Sequence, residues 1–391
     1  MLNKQALPRF HELDSLRGLA ACTVVLCHFR AGVGDQASLW ILQSPLKFLV
    51  AGHDAVILFF VLSGFVLIQP WTSKSPLGYS TFLIRRICRI YLPYLAALML
   101  AVAMNAHYHG LVIDDEWINL TWNQKPSMHL IIQHLVLLGD YQWDAFNGAF
   151  WSLVYEMRIS IIFPFLAVAV LYFRNSWLLV LAISTSLLSA HYYRIFSLLH
   201  LIPQTLPFID TLHYMSFFIL GAVLARNREA IQVRYKTLPR FLVWALVVLA
   251  IAFYYHPVSV PMLAARILPE RKMIDWSAAF GSLILVSMAL GSGSFKRLLN
   301  HSAINYLGRI SYSLYLVHGT VLFTMIYLYQ DHLKLAVLPV YLLAVLGLAS
   351  SFYYVIERPS MLLGRRLGKL LDRQLQLGDF GFFVSPCSQD V

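Results

Sequence analysis

Arg17 and His28 are eleven residues apart. At 100° per residue that separation falls within about 20° of three full turns, so a helix through both carries them on one face, about 16 Å apart along its axis. A cation and a titratable imidazole on one stripe suit anion binding at one end and proton transfer at the other. A snorkelling arginine and a satisfied core histidine are the plainer account of the same pair. Arg85, Arg86 and Arg89 crowd into little more than one turn. Arg85 and Arg89, at i and i+4, form a fork able to grip phosphates bidentately, and a helix start adds its positive dipole end. Anionic lipid headgroups would suit the same cluster.

A carboxylate stands in the segment Phe150-Trp151-Ser152-Leu153-Val154-Tyr155-Glu156-Met157-Arg158. Arg158 is only two residues from Glu156 and points elsewhere on a helix, so Glu156 needs a partner from another helix. Ser311, Tyr315 and His318 follow i, i+4, i+7 spacing and make one polar stripe on an otherwise apolar segment. Ser63-Gly64, inside the aromatic-rich run Phe59 to Phe65, offers a small hydroxyl and close helix approach. Two histidines, a carboxylate and tyrosines above a basic floor hold the parts for general acid–base chemistry. His107, His109, His129 and His134, with Asp114, Asp115 and Glu116, lack the ligand spacing of a structural zinc site, and no metal is expected.

The elements that must position these residues are membrane helices. Of 391 residues, 59% are hydrophobic and 13% charged, against roughly 45–50% and about 25% in soluble domains. Single cores stop growing near ~250–300 residues, so the apolar surplus must face lipid. The expected fold is an all-α polytopic bundle of about ten transmembrane helices, at 15–32, 50–70, 87–106, 150–173, 177–190, 211–226, 239–255, 274–291, 309–329 and 335–356. Leu130 to Leu138 is too short to span and reads as interfacial. The chain divides into a membrane domain, 1–369, and a cytoplasmic tail, 370–391. The loops sharing a side with the N-terminus hold 21 of the 30 Lys and Arg residues against 8 opposite, so both termini are expected in the cytoplasm. That asymmetry accounts for the net charge of +11 without nucleic acid. Four cysteines form no disulfide framework or metal knuckle. The N-terminal apolar stretch, interrupted by Asp14 and Arg17, reads as a retained span rather than a signal peptide. No internal repeat is visible, which weakens a transporter reading.

Six segments in order resemble the membrane-bound acyltransferase family 3, which includes O-antigen and exopolysaccharide O-acyltransferases. They are Leu13-Asp14-Ser15-Leu16-Arg17-Gly18-Leu19-Ala20 leading to His28, Phe59 to Phe65, Arg86-x-x-Arg89, Trp151-Ser152-Leu153 with Glu156, Ile310 to His318, and Ile356-Glu357-Arg358-Pro359. The resemblance implies ten transmembrane helices in a bacterial inner membrane protein. It implies an acyl-CoA donor, commonly acetyl-CoA, reached from the cytoplasm, and transfer to a hydroxyl of a glycan, lipid-linked sugar or other acceptor. It also implies functional roles for Arg17 with His28 and for Arg86 with Arg89. Two departures bear on the acceptor pocket. Ile57 stands where the family usually has an acidic residue, with His53 and Asp54 upstream, and Ile159-Ser160 replaces a usual Phe-Tyr pair.

A thioester is already activated, so such an enzyme must hold the CoA phosphates, deprotonate an alcohol and stabilise an oxyanion. Arg86 and Arg89, helped by Arg17, are expected on the phosphates and His28 as the base. Glu156 would orient an imidazole or bind acceptor hydroxyls, and Ser63, Tyr315 and His318 would line the acceptor pocket. A glycan or lipid flippase without acyl transfer is the competing reading, and a non-catalytic scaffold a third.

Overall fold

A computed structural model describes residues 10–72, 77–113, 115–139, 142–198, 208–255 and 270–377. In chain order the helices are α1 (His11–Val33), α2 (Asp35–Leu42), α3 (Gly52–Ile68), α4 (Tyr79–Arg86), α5 (Leu92–His107), α6 (Glu116–Leu120), α7 (Met128–Val136), α8 (Trp151–Tyr172), α9 (Asn175–Leu198), α10 (Asp210–Arg226), α11 (Arg228–Thr237), α12 (Arg240–Tyr255), α13 (Glu270–Gly291), α14 (Gly293–Leu299), α15 (Ser302–Tyr329), α16 (Leu338–Phe352) and α17 (Arg358–Leu377). No strand occurs among the described residues.

Among the described residues six helical runs are long and apolar enough to cross a membrane: His11–Val33, Tyr79–His107, Gly148–Tyr172, Arg271–Gly291, Ser302–Tyr329 and Leu335–Gln374. The other four expected spans also fall in helices, but length and apolarity do not establish them as crossings. The helices α3 and α10 have 17 residues each, about 26 Å at 1.5 Å per residue, against a hydrocarbon core of about 30 Å. In α9, Ser176, Ser184, Thr185, Ser186 and Ser189 dilute the apolar run, and α12 has 16 residues. The segment expected at the interface is the nine-residue α7, ended by Leu137 in the left-handed region. Helix α17 runs through the boundary expected at residue 369, and residues 378–391 of the tail lie outside the described residues.

Two glycine crossings set the geometry of the site. In α1, a Cβ on Gly18 would strike the backbone of Leu307 and Gly308, and one on Gly308 would strike Asp14 and Ser15. In α3, Gly64 lies on the Phe218 backbone, and Gly221 of α10 lies on Val61. Without a side chain on either helix, the axes approach closely enough for van der Waals packing to hold them. Each crossing also fixes the residue beside it, Arg17 in one case and Ser63 in the other.

Two π-helical turns occur among the described residues. Ile87–Tyr91 joins α4 to α5, and Tyr353–Glu357 joins α16 to α17. Each packs against the helix that carries the other. A π turn rotates the residues beyond it relative to an unbroken α-helix, which is why such turns recur at functional sites. Here one carries Arg89 and the other Glu357.

Candidate active site

A cavity of about 560 Å³, counting the space at its mouth, opens where α1, α3, α8, α15 and the Ile87–Tyr91 turn converge. Arg17 and Arg89 supply its cations, Glu156 its carboxylate, and Ser63, Ser152, Ser311, Tyr312 and Tyr315 its hydroxyls. Phe59, Phe60, Ile90 and Leu153 form the apolar wall.

The polar groups are linked. Arg17 Nη2 donates to Ser63 Oγ at 3.4 Å, and Ser63 Oγ donates to Glu156 Oε1 at 3.3 Å. Arg17 Nε is buried without a hydrogen-bond partner, and Arg89 makes no hydrogen bond to a described residue. A buried guanidinium donor without an acceptor is costly unless a ligand completes it. At the other side of the cavity, Tyr315 Oη donates to Ala149 O at 2.7 Å, and Ser152 Oγ donates to Tyr315 Oη at 2.7 Å. Tyr312 Oη donates to Ile90 O at 2.8 Å, tying α15 to the π turn.

Arg86, expected beside Arg89, does not line the cavity. Its Nη2 donates to Glu156 Oε1 at 2.8 Å, and its Nε and Nη2 reach Ser160 Oγ at 3.2 and 3.0 Å. Glu156 therefore finds its partner on another helix, as its isolation from Arg158 requires. Arg158 turns away to donate to Leu138 O and Gly139 O. Arg85 lies against Gly368 of α17 instead of forming a fork with Arg89.

His28 meets neither Glu156 nor the cavity wall directly. Its partner is His318 of α15, with His318 Nε2 and His28 Nδ1 3.1 Å apart and ring centroids at 5.0 Å. Tyr315, which lines the cavity, stands 5.9 Å from the His318 ring, and Trp117 of α6 stacks on His28 at 5.8 Å. A file of rings thus runs from the cavity through Tyr315 and His318 to His28. Arg17 and His28 share α1 as their spacing implies, with Arg17 in the cavity and His28 beyond it.

Three groups escaped the sequence reading. Glu357, buried, accepts from Ser313 N at 3.1 Å and Ser313 Oγ at 2.5 Å, which pins the second π turn to α15. Its place in the Glu-Arg-Pro motif was the only available signal. Ser160, noted only as a departure, completes Arg86. The third is a polar cluster apart from the cavity, centred on buried Asp275 of α13. Asp275 Oδ1 pairs with His53, and Oδ2 accepts from His213 Nε2 at 2.9 Å. His213 Nδ1 accepts from Ser186 Oγ at 2.8 Å. Nothing in the local sequence around His53 points to a partner 222 residues away.

Among the described residues no group of three His, Cys, Asp or Glu side chains could hold a metal ion. Asp114, considered with the loop histidines, lies outside them.

A family model described as an acyltransferase domain matches residues 10–355, nearly the whole chain. The chain belongs to acyltransferase family 3. Comparison with curated proteins gave no match, and neither did comparison with solved structures. The apolar helices and the family together make this a membrane acyltransferase, whose reaction needs an acyl donor and an acceptor hydroxyl. In this acyltransferase the matched region includes every cavity residue and the His28–His318 pair.

Proposed function

We propose that the protein is an integral membrane O-acyltransferase that moves an acyl group, commonly acetyl, from cytoplasmic acyl-CoA to a hydroxyl of a glycan or lipid-linked sugar. The observation that carries this reading is the pair of guanidinium groups at the cavity, Arg17 with an unpaired buried Nε and Arg89 without a hydrogen bond to a described residue. Neither makes a direct ion pair with a carboxylate among the described residues, which leaves guanidinium donors for a polyanion. Phosphates of a nucleotide-bearing donor match that demand, because guanidinium binds phosphate bidentately. Cations near the end of the bundle at which α1 begins fit a donor arriving from the cytoplasm.

In this reading Arg17 and Arg89 hold the phosphates, and Arg86 holds Glu156 in place at the cavity wall. Glu156, Ser63 and Ser152 then offer hydrogen bonds to the donor carbonyl arm or to the acceptor. His28 acts as the general base, with His318 and Tyr315 packed between its ring and the cavity. The acceptor hydroxyl loses its proton as it attacks the thioester carbonyl, with the cavity hydroxyls close to the developing oxyanion.

The test is transfer of label from [14C]acetyl-CoA into alkali-labile esters in membranes containing the protein. His28→Ala and Arg89→Ala should each lower transfer at unchanged protein level, the first through kcat and the second through KM. Binding and export of glycan without any dependence on acyl-CoA would replace this reading with the flippase.

A further inference from the structure

We infer that His318 is a positioning residue that fixes the His28 ring in a single tautomer, with Nδ1 protonated and Nε2 left as the reacting nitrogen. The inference rests on the reading of His28 as the base.

Carbonyl oxygens only accept, and this decides where the protons sit. His28 Nδ1 is 3.0 Å from Val24 O, so Nδ1 carries a hydrogen. His318 Nδ1 is 3.2 Å from Leu314 O and carries one as well. A neutral imidazole has a single N–H, so His318 Nε2 presents a lone pair. That lone pair faces His28 Nδ1 at 3.1 Å. The His28 N–H is therefore shared between Val24 O and His318 Nε2, a three-centre arrangement of the kind common in helices. The reverse assignment, with His318 Nε2 donating, would set His28 Nδ1 lone pair against a carbonyl oxygen. Both rings are thus held by one turn of their own helix and by each other. His28 Nε2 makes no hydrogen bond to a described residue.

The chemistry follows from that assignment. The acceptor hydroxyl gives its proton to His28 Nε2 as its oxygen bonds the acyl carbon. The C–S bond breaks, and the imidazolium returns the proton to the departing thiolate. While the imidazolium exists, its Nδ1–H stays on His318 Nε2, so the ring neither flips nor rotates. A neutral imidazole in this role differs from a carboxylate in one respect: it orients the base without adding negative charge to a bundle that must admit a polyanionic donor. The protein uses the carboxylate version elsewhere, at His53 and Asp275, away from the cavity. His318 is fully buried, which suits a residue that acts through another.

The experiment compares His318→Leu, His318→Gln and His28→Gln in the full chain, with [14C]acetyl-CoA as donor and membranes supplying the acceptor. His318→Leu should lower kcat by about 10- to 100-fold, as loss of an orienting partner does elsewhere, with KM for acetyl-CoA within about 2-fold. His318→Gln, which keeps an acceptor oxygen, should recover part of the loss. A merely structural role would lower melting temperature and protein level in both variants without that difference. Full transfer by His318→Leu, with His28→Gln inactive, overturns the inference and leaves the reading of His28 intact. Full transfer by His28→Gln overturns the reading itself. Should His318→Leu fail to accumulate, 15N spectra of histidine-labelled wild type in lipid decide the matter: Nδ1–H on His28 upholds the inference and Nε2–H overturns it.

Discussion

Arg86 and Glu156 form a buried ion pair at 2.8 Å, and that pair separates the two arginines of the Arg-x-x-Arg motif into different jobs. Arg86 is spent on α8, while Arg89, carried round by the Ile87–Tyr91 turn, faces the cavity. Removing Arg86 leaves Glu156 without its cation in a site where both side chains are largely buried, a loss of about 3–5 kcal/mol. Arg86→Gln should therefore lower the melting temperature in detergent and the amount of protein in membranes. Adding Glu156→Gln should restore part of that stability without restoring activity. Arg89→Gln should melt like wild type and raise KM for acyl-CoA by roughly 10-fold, the effect of one lost charge-assisted hydrogen bond. Equal melting losses in Arg86→Gln and Arg89→Gln would contradict the division of roles.

Helix contact at Gly64 makes a second prediction. A methyl group there would enter the Phe218 backbone, which cannot move away as a side-chain tip could. Gly64→Ala should cost about 1–3 kcal/mol or more and displace the neighbouring Ser63 from Arg17 and Glu156. Gly347→Ala, in an exposed helical position with open space around it, should instead gain about 0.5–1 kcal/mol by favouring the helix. Thermal unfolding of the two variants side by side checks both signs.

These relationships divide into those a sequence carries and those it does not. Helical periodicity put Arg17 with His28 on α1 and Ser311 with Tyr315 on α15, because both relations lie within one element. The Ser63-Gly64 pair announced close approach for the same reason. Which helix approaches was hidden: Gly64 meets Phe218, and His28 meets His318 across 290 residues. Arg86 and Arg89 look equivalent in sequence because three residues on a regular α-helix fall on neighbouring faces. The π turn that parts them has no sequence signal of its own. The expected count of about ten spans comes from apolar runs and from the family resemblance, neither of which gives helix lengths. In α3 and α10 the helices stop at 17 residues, and the run does not reveal where they end.

Asp275 gives a third prediction. It joins α13 to α3 through His53 and to α10 through His213, and is itself fully buried. In Asp275→Asn one carboxylate oxygen becomes an NH2 group, so one imidazole N–H faces a donor and loses its acceptor. The expected loss is about 1–3 kcal/mol, read as a lower melting temperature. His213→Phe combined with Asp275→Asn should lose less than the sum of the two, since they share one network. Additive losses would mean that the cluster does not act as a unit.

His134 yields a prediction about pH. It sits on α7, outside the long apolar helices, fully buried, with its Nδ1 donating to Leu130 O at 2.9 Å and its ring against Phe146 at 4.7 Å. The helix also anchors α5 and the π turn before it, since Tyr94 Oη donates to His134 O at 2.9 Å and Tyr91 Oη to Leu135 O. Burial pulls the imidazole down from 6.5 to about 4. Between those values the unfolded segment takes up a proton that the folded one refuses. The stability this ring contributes is therefore complete above about pH 6.5 and is lost as pH falls toward 4. The loss is of order 2–3 kcal/mol near the lower end. Melting temperatures measured in detergent at pH 7.5 and pH 4.5 should fall further apart in the wild type than in His134→Gln, which has nothing to protonate at that position. The same fall in both proteins would show that His134 is not the group responsible.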